Sequence, residues 1–132
     1  MKVDLDEWLK ELPGRRQLTI REPVSVVGTY DKHLGPSWAF AQIELTAEPA
    51  EAWDVRVALS DDERVEMLKD DWLREALLGV LDVLVSRPSD PLLRIRITVT
   101  AARFSFESSR RAFRAAGRRA AEALLDAAAI EP

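Results

Sequence analysis

Arginine is the most concentrated chemically useful side chain in this sequence. Between Leu92 and Arg119 there are eight Arg against one acid, Glu107, whereas between Glu48 and Asp82 there are 11 acids against 4 bases. Arg110, Arg111, Arg114 and Arg118 recur at helical spacing. With Phe113 centred on a buried face, steps of about 100° per residue place all four on the opposite, exposed side. Arg94 and Arg96, alternating with apolar residues, and Arg103 extend the same charge. Guanidinium groups in such an array hold phosphates through paired N–H donors. RNA binding is the chemistry this stretch suits if the patch is continuous. The competing reading is a solvated helix face whose arginines pair with the acids of the other half, and an overall charge of −4 favours it.

Nucleophilic and metal chemistry are poorly supplied. There is no cysteine, hence no disulfide, thiolate nucleophile or thiolate-bound metal. His33 is the only histidine, so a histidine-rich metal site is excluded and a Ser–His–Asp triad has one place to form. Beside Lys32 in a polar segment, His33 is expected on the surface. Glu107-Ser108-Ser109 sets an acid beside two hydroxyls, but a helix N-terminus uses these residue types as caps. Asp61, Asp62, Glu63, Glu66, Asp70 and Asp71 lack the glycine and the spacing of a calcium loop and read as a solvated acidic face. No G-x-x-x-x-G-K-[ST] phosphate loop occurs. The expectation is a non-enzymatic protein without cofactor, metal or bound nucleotide.

These residues sit on elements that the apolar periodicity outlines. Leu5, Trp8, Leu9 and Leu12 predict a short helix ended by Pro13-Gly14, an extension over residues 1–17. Leu18 to Tyr30 is β-rich, with Pro23 early in the run marking an edge strand or a strand that starts after the proline, and Asp31 to Ser37 carries the turn signal Gly35-Pro36. From Trp38, apolar residues at 39, 41, 43 and 45 alternate with Phe40, Gln42, Glu44 and Thr46, and Trp53, Val55, Val57 and Leu59 alternate again. An acidic, partly helical connection follows. Asp70 or Asp71 is placed to cap a helix with Leu73, Ala76, Leu77, Val80 and Leu84 on one face. Leu93, Ile95, Ile97 and Val99 form a fourth strand with Arg94 and Arg96 outward. The last helix, from about Glu107 to Ala129, buries Phe113, Ala116, Gly117, Ala120, Leu124 and Ala127. The order predicts an α+β two-layer sandwich, a four-stranded sheet with two helices on one face. Trp38, just past the turn, is placed either for core or edge packing or for stacking on a base or partner.

At 132 residues the chain has the length of a single domain, expected over 18–132. Its N-terminus is unlike a signal peptide and no apolar run approaches a membrane span, which predicts a cytoplasmic protein with no membrane partner.

Four segments together resemble domain IV of elongation factor G, elongation factor 2 and the tetracycline-resistance ribosomal protection proteins. They are Ile20-Arg21-Glu22-Pro23-Val24, Trp38 through Ile43-Glu44-Leu45, Leu78-Gly79-Val80-Leu81-Asp82, and Glu107-Ser108-Ser109 followed by Ala112-Phe113, Ala116 and Ala120. The resemblance implies that domain's fold, similar to ribosomal protein S5 domain 2, with a left-handed βαβ crossover. It departs at both tip loops: the first shrinks to His33-Leu34-Gly35-Pro36-Ser37, and Phe104 stands at the second loop's histidine. Translocase activity does not follow; the scaffold does. The resulting expectation is a free-standing domain binding the ribosome or structured RNA through Arg94, Arg96, Arg103, Arg110, Arg111, Arg114 and Arg118, with Trp38, Lys32 and His33. The alternative is a protein–protein module, immunity-like, regulatory or self-associating, using the acidic 48–82 region.

Overall fold

The computed structural model describes residues 17–87, 90–105 and 108–132. The predicted N-terminal helix and the proposed cap Glu107 lie outside the described residues. In chain order the elements are β1 (Thr19–Ile20), β2 (Val24–Leu34), β3 (Ser37–Pro49), β4 (Asp54–Val57), α1 (Asp61–Lys69), α2 (Trp72–Val85), β5 (Ile95–Phe104), α3 (Arg110–Ala127) and β6 (Ile130–Glu131). The main sheet has the order β2-β3-β5-β4, antiparallel except for the β4–β5 pair, which is parallel and joined through α1 and α2. The architecture is an α+β two-layer sandwich.

Alternation explains the layers. Ala41, Ile43, Leu45 and Ala47 of β3 and Ile95, Ile97 and Val99 of β5 are buried, while their neighbours are half-exposed. The buried set meets Leu73, Ala76, Leu77, Val80 and Leu84 of α2 and Ala112, Phe113, Ala116, Ala120 and Leu124 of α3 in one core. Helix α3 lies unusually close to its neighbours. A Cβ built on Gly28 would stand 2.0 Å from the Ala116 carbonyl oxygen, one on Gly79 2.2 Å from that of Arg114, and one on Gly117 1.9 Å from that of Ala76. Only glycine permits these backbone approaches.

Several boundaries differ from the sequence reading. β2 continues through the polar residues to Leu34, so the turn shrinks to Gly35 (φ +61°) and Pro36. The fourth strand starts at Ile95, because Arg94 is taken up in bonds to Leu18 and Thr19. Helix α3 begins at Arg110, and residues 130–131 leave it to pair with β1. Asp71 precedes α2 in a left-handed conformation (φ 59°) and its side chain makes no cap bond. β5 also carries a bulge, where the pairing skips Thr100 and its hydroxyl bonds the Glu44 carbonyl at 3.2 Å. Among the described residues no helix is long and apolar enough to cross a membrane.

Candidate functional site: the hairpin end of the sandwich

The β2–β3 hairpin outruns the rest of the sheet. β5 pairs with β3 only as far as Phe104 opposite Ala41, whereas β2 and β3 stay paired through Asp31–Phe40, Lys32–Ala39, His33–Trp38 and Leu34–Ser37. Four pairs therefore project past the last β5 contact. Period-two alternation puts Asp31, His33, Trp38 and Phe40 on the face away from the helices. There the Trp38 ring lies between His33 (centroids 5.6 Å apart, planes 8° apart) and Phe40 (5.2 Å, 33°). Its indole N–H donates to Asp31 Oδ1 at 2.6 Å, and His33 Nε2 sits 3.6 Å from the same oxygen. The His33 side chain is 71% exposed. Trp38 is thus neither core nor loose: it is a fixed, half-exposed rung of an aromatic ladder.

Two further segments close on the base of this hairpin. Arg103 is exposed and lies opposite Gln42 on the same sheet face. The Ser108 hydroxyl donates to the Phe40 carbonyl at 2.6 Å and accepts from the Ser105 N–H at 2.8 Å, tying the β5–α3 connection to the hairpin. Ser109 accepts from Ala112 N–H at 3.1 Å and caps α3. Sequence reasoning groups both serines as a cap; only Ser109 is one. Beside them, Trp72 stacks on Phe113 and meets Phe104 in a tilted contact, and a recess of about 520 Å³ is lined by Glu66, Lys69, Asp70, Trp72, Phe104, Ser105 and Ser108. It mixes both charge signs and concentrates neither.

The arginine stripe is not the free surface that helical arithmetic suggests. Arg114, 29% exposed, donates from Nε and Nη2 to the two oxygens of Asp82 (2.8 and 3.1 Å) and from Nη1 to Glu75 (3.2 Å). Asp82 holds its guanidinium charged even more firmly than usual, with Glu75 adding to the effect. Arg118 gives both Nε and Nη2 to Asp82 Oδ2 (3.3 and 3.2 Å). Arg110 bonds the Asp70 carbonyl at 3.1 Å. Arg96 bonds Asp54 at 2.9 Å and lies 3.8 Å from Glu48, and it is the main reason that the Asp54 carboxyl titrates below its ordinary value. Arg94, just before β5, and Arg96, at its far end, also lie roughly 30 and 23 Å from Arg103 at strand rise. The predicted continuous patch is therefore broken: acids of the other half neutralise its middle, and its ends lie at opposite poles. Arg103 and Arg111 make no ion pair among the described residues.

Arg119 is not among the predicted contacts. It bonds the Thr29 carbonyl on the free edge of β2 at 3.2 Å and lies 5.6 Å from the Tyr30 ring centroid. Helical spacing gives its angle on α3, but not that β2 lies on that side. In the acidic half, Asp61, Asp62 and Glu63 form the first turn of α1, where the helix dipole favours them. No three acidic or histidine side chains among the described residues converge as metal ligands.

No protein-family profile matches the sequence, and no curated protein matches it. Its structure is similar to a crystal structure of a protein from Thermus thermophilus, with TM-score 0.75 and 17% sequence identity over 91% of this chain. The chain spans 18% of that protein's length, so it corresponds to one part of a larger molecule. At this identity the likeness concerns the fold.

Proposed function

We propose that this chain is a non-enzymatic, cytoplasmic binding domain that engages RNA, on the ribosome or in another structured form, through the hairpin end of the sandwich. The observation that carries the reading is the projecting His33–Trp38–Phe40 ladder, with Arg103 exposed on the same sheet face and Lys32 and Arg111 across the hairpin on the helix side. A fixed aromatic face that is half open stacks on an exposed base, and nearby cations neutralise the backbone phosphates. The resemblance to domain IV of elongation factor G supports the same end of the molecule, since in that family the corresponding loops reach the decoding region.

The test is co-sedimentation with ribosomes and titration with structured RNA at low salt. Wild type binds, and Trp38→Ala with His33→Ala weakens binding by roughly tenfold or more, about 1–3 kcal/mol per stacked base. Absence of association at low salt rejects the reading. One observation favours a protein partner instead: Val65 (63% exposed) and Leu68 (41%) stand among the acids of α1. A stoichiometric protein partner captured despite nuclease, and lost with Val65→Lys, supports that second reading.

A further inference from the structure

Helix α3 keeps one arginine surface in reserve. Arg111, Arg114, Ala115 and Arg118 follow one another at spacings of three, one and three, a single stripe on a helix. They line a groove of about 480 Å³ together with Tyr30 and Lys32 from β2 and Glu75 from α2. Such a volume lies within the ~300–1,000 Å³ usual for small-ligand sites. Four cations thus surround the groove against one carboxylate. Asp82, the other acid in the network, bonds Arg114 and Arg118 and is not among the described residues that line the groove.

The acid pairs, which remove these arginines from a broad patch, prepare them for a narrow one. Asp82 and Glu75 fix the Arg114 guanidinium through three bonds, and Arg118 is held through Nε and Nη2, leaving its Nη1 without a partner among the described residues. Groups already ordered lose little further entropy on binding. Lys32 Nζ lies 5.9 Å from the Tyr30 ring centroid, at the rim, and Arg111 is exposed with no ion pair among the described residues. Ala115, the small residue in the stripe, leaves the depth.

We infer that this groove is a seat for a phosphate group carried by the RNA backbone, an inference that rests on the RNA reading above and locates its phosphate contact. Lys32 and Arg111 supply the free charge and Arg118 Nη1 a preset donor. With Trp38 on the outer face of the same hairpin, a strand passing around the tip meets a base platform on one side and a phosphate seat on the other.

The experiment measures RNA affinity against salt concentration for wild type, for Lys32→Ala with Arg111→Ala, and for Ala115→Leu, with a melting curve for each. The first variant removes exposed cations, and the second fills the groove without changing charge. The double variant should flatten the slope of log K against log salt by roughly 0.7–0.9 for each cation removed. Ala115→Leu should weaken binding at every salt concentration with little change in melting temperature. RNA binding with wild-type affinity and slope in both variants overturns the groove and leaves the RNA reading standing. A parallel arm titrates inorganic phosphate and follows the arginine side-chain N–H resonances. Shifts at Arg111 and Arg118 that vanish in Ala115→Leu, from a wild type that ignores RNA, overturn the RNA source while keeping a free-phosphate seat. Absence of response to both RNA and phosphate overturns both.

Discussion

Gly117→Ala should be among the most damaging single-methyl additions to this protein, although alanine is the better helix former. The ideal Cβ stands 1.9 Å from the Ala76 carbonyl oxygen and 2.8 Å from its carbon. That is about 1.5 Å short of the 3.4 Å at which ordinary contact begins. The obstacle is backbone on a neighbouring helix, so no side-chain rotation relieves it; α2 and α3 must part. Parting them also strains the Arg114–Asp82 bonds of 2.8 and 3.1 Å, which cross the same seam. Overpacking costs about 1–3 kcal/mol and sometimes more. Weakening a half-exposed charged pair adds about 1 kcal/mol, and helix propensity returns about 1 kcal/mol. The expected net loss is about 1–3 kcal/mol out of a total of about 5–15. At this chain length that lowers the melting midpoint by roughly 4–12 °C. Urea unfolding followed by tryptophan fluorescence is the assay, because Trp72 stacks on Phe113 of α3 at 5.1 Å and reports the seam between the helices. A variant as stable as wild type, or more stable, refutes the close approach of α2 and α3.

Two carboxylates carry further predictions. Glu63 accepts from the Ala102 N–H of β5 at 2.8 Å and from Ser60 in a capping box, and these bonds, the Ala102 bond first, hold its carboxyl below its ordinary value of 4.5. A lowered folded pKa contributes stability that is complete above the unfolded value and lost as pH falls through the folded one. The melting midpoint should therefore drop below about pH 4.5, and Glu63→Gln should flatten that drop while costing about 1–2 kcal/mol at pH 7; an unchanged acid limb in the variant assigns the loss elsewhere. Asp82→Asn leaves Arg114 and Arg118 without their shared charge and should cost about 1–2 kcal/mol in urea unfolding. High salt should erode part of that difference, and a difference insensitive to salt contradicts an ionic origin. Charge reversal at Arg114 or Arg118 consequently tests folding before it tests RNA binding.

The parts of the fold legible in sequence are those where one element suffices. The alternation of Ala41, Ile43, Leu45 and Ala47 names a buried strand face, and the spacing of Leu73, Ala76, Leu77, Val80 and Leu84 names a buried helix face, whatever they pack against. Pairwise facts are not legible. Helical arithmetic puts Arg114 on a polar stripe, but only the position of α2 alongside α3 brings Asp82 to it. β1 and β6 pair across more than a hundred residues with two residues each, too short for any periodicity. Gly28 sits unremarked inside a strand, and its reason is the Ala116 carbonyl of a distant helix. The candidate site divides the same way. Trp38 stands out beside the turn, yet the rungs formed with His33 and Phe40 depend on β2 remaining a strand through Lys32 and His33, polar residues that give no β signal.

The most direct measurement is a map of backbone amide shifts while the intact protein is titrated with a structured RNA at low salt. If the hairpin end engages RNA, perturbations gather at residues 30–40, at Arg103 to Ser105 and at the first two turns of α3. Shifts confined to α1 around Val65 and Leu68, or the absence of saturable shifts anywhere, would contradict it.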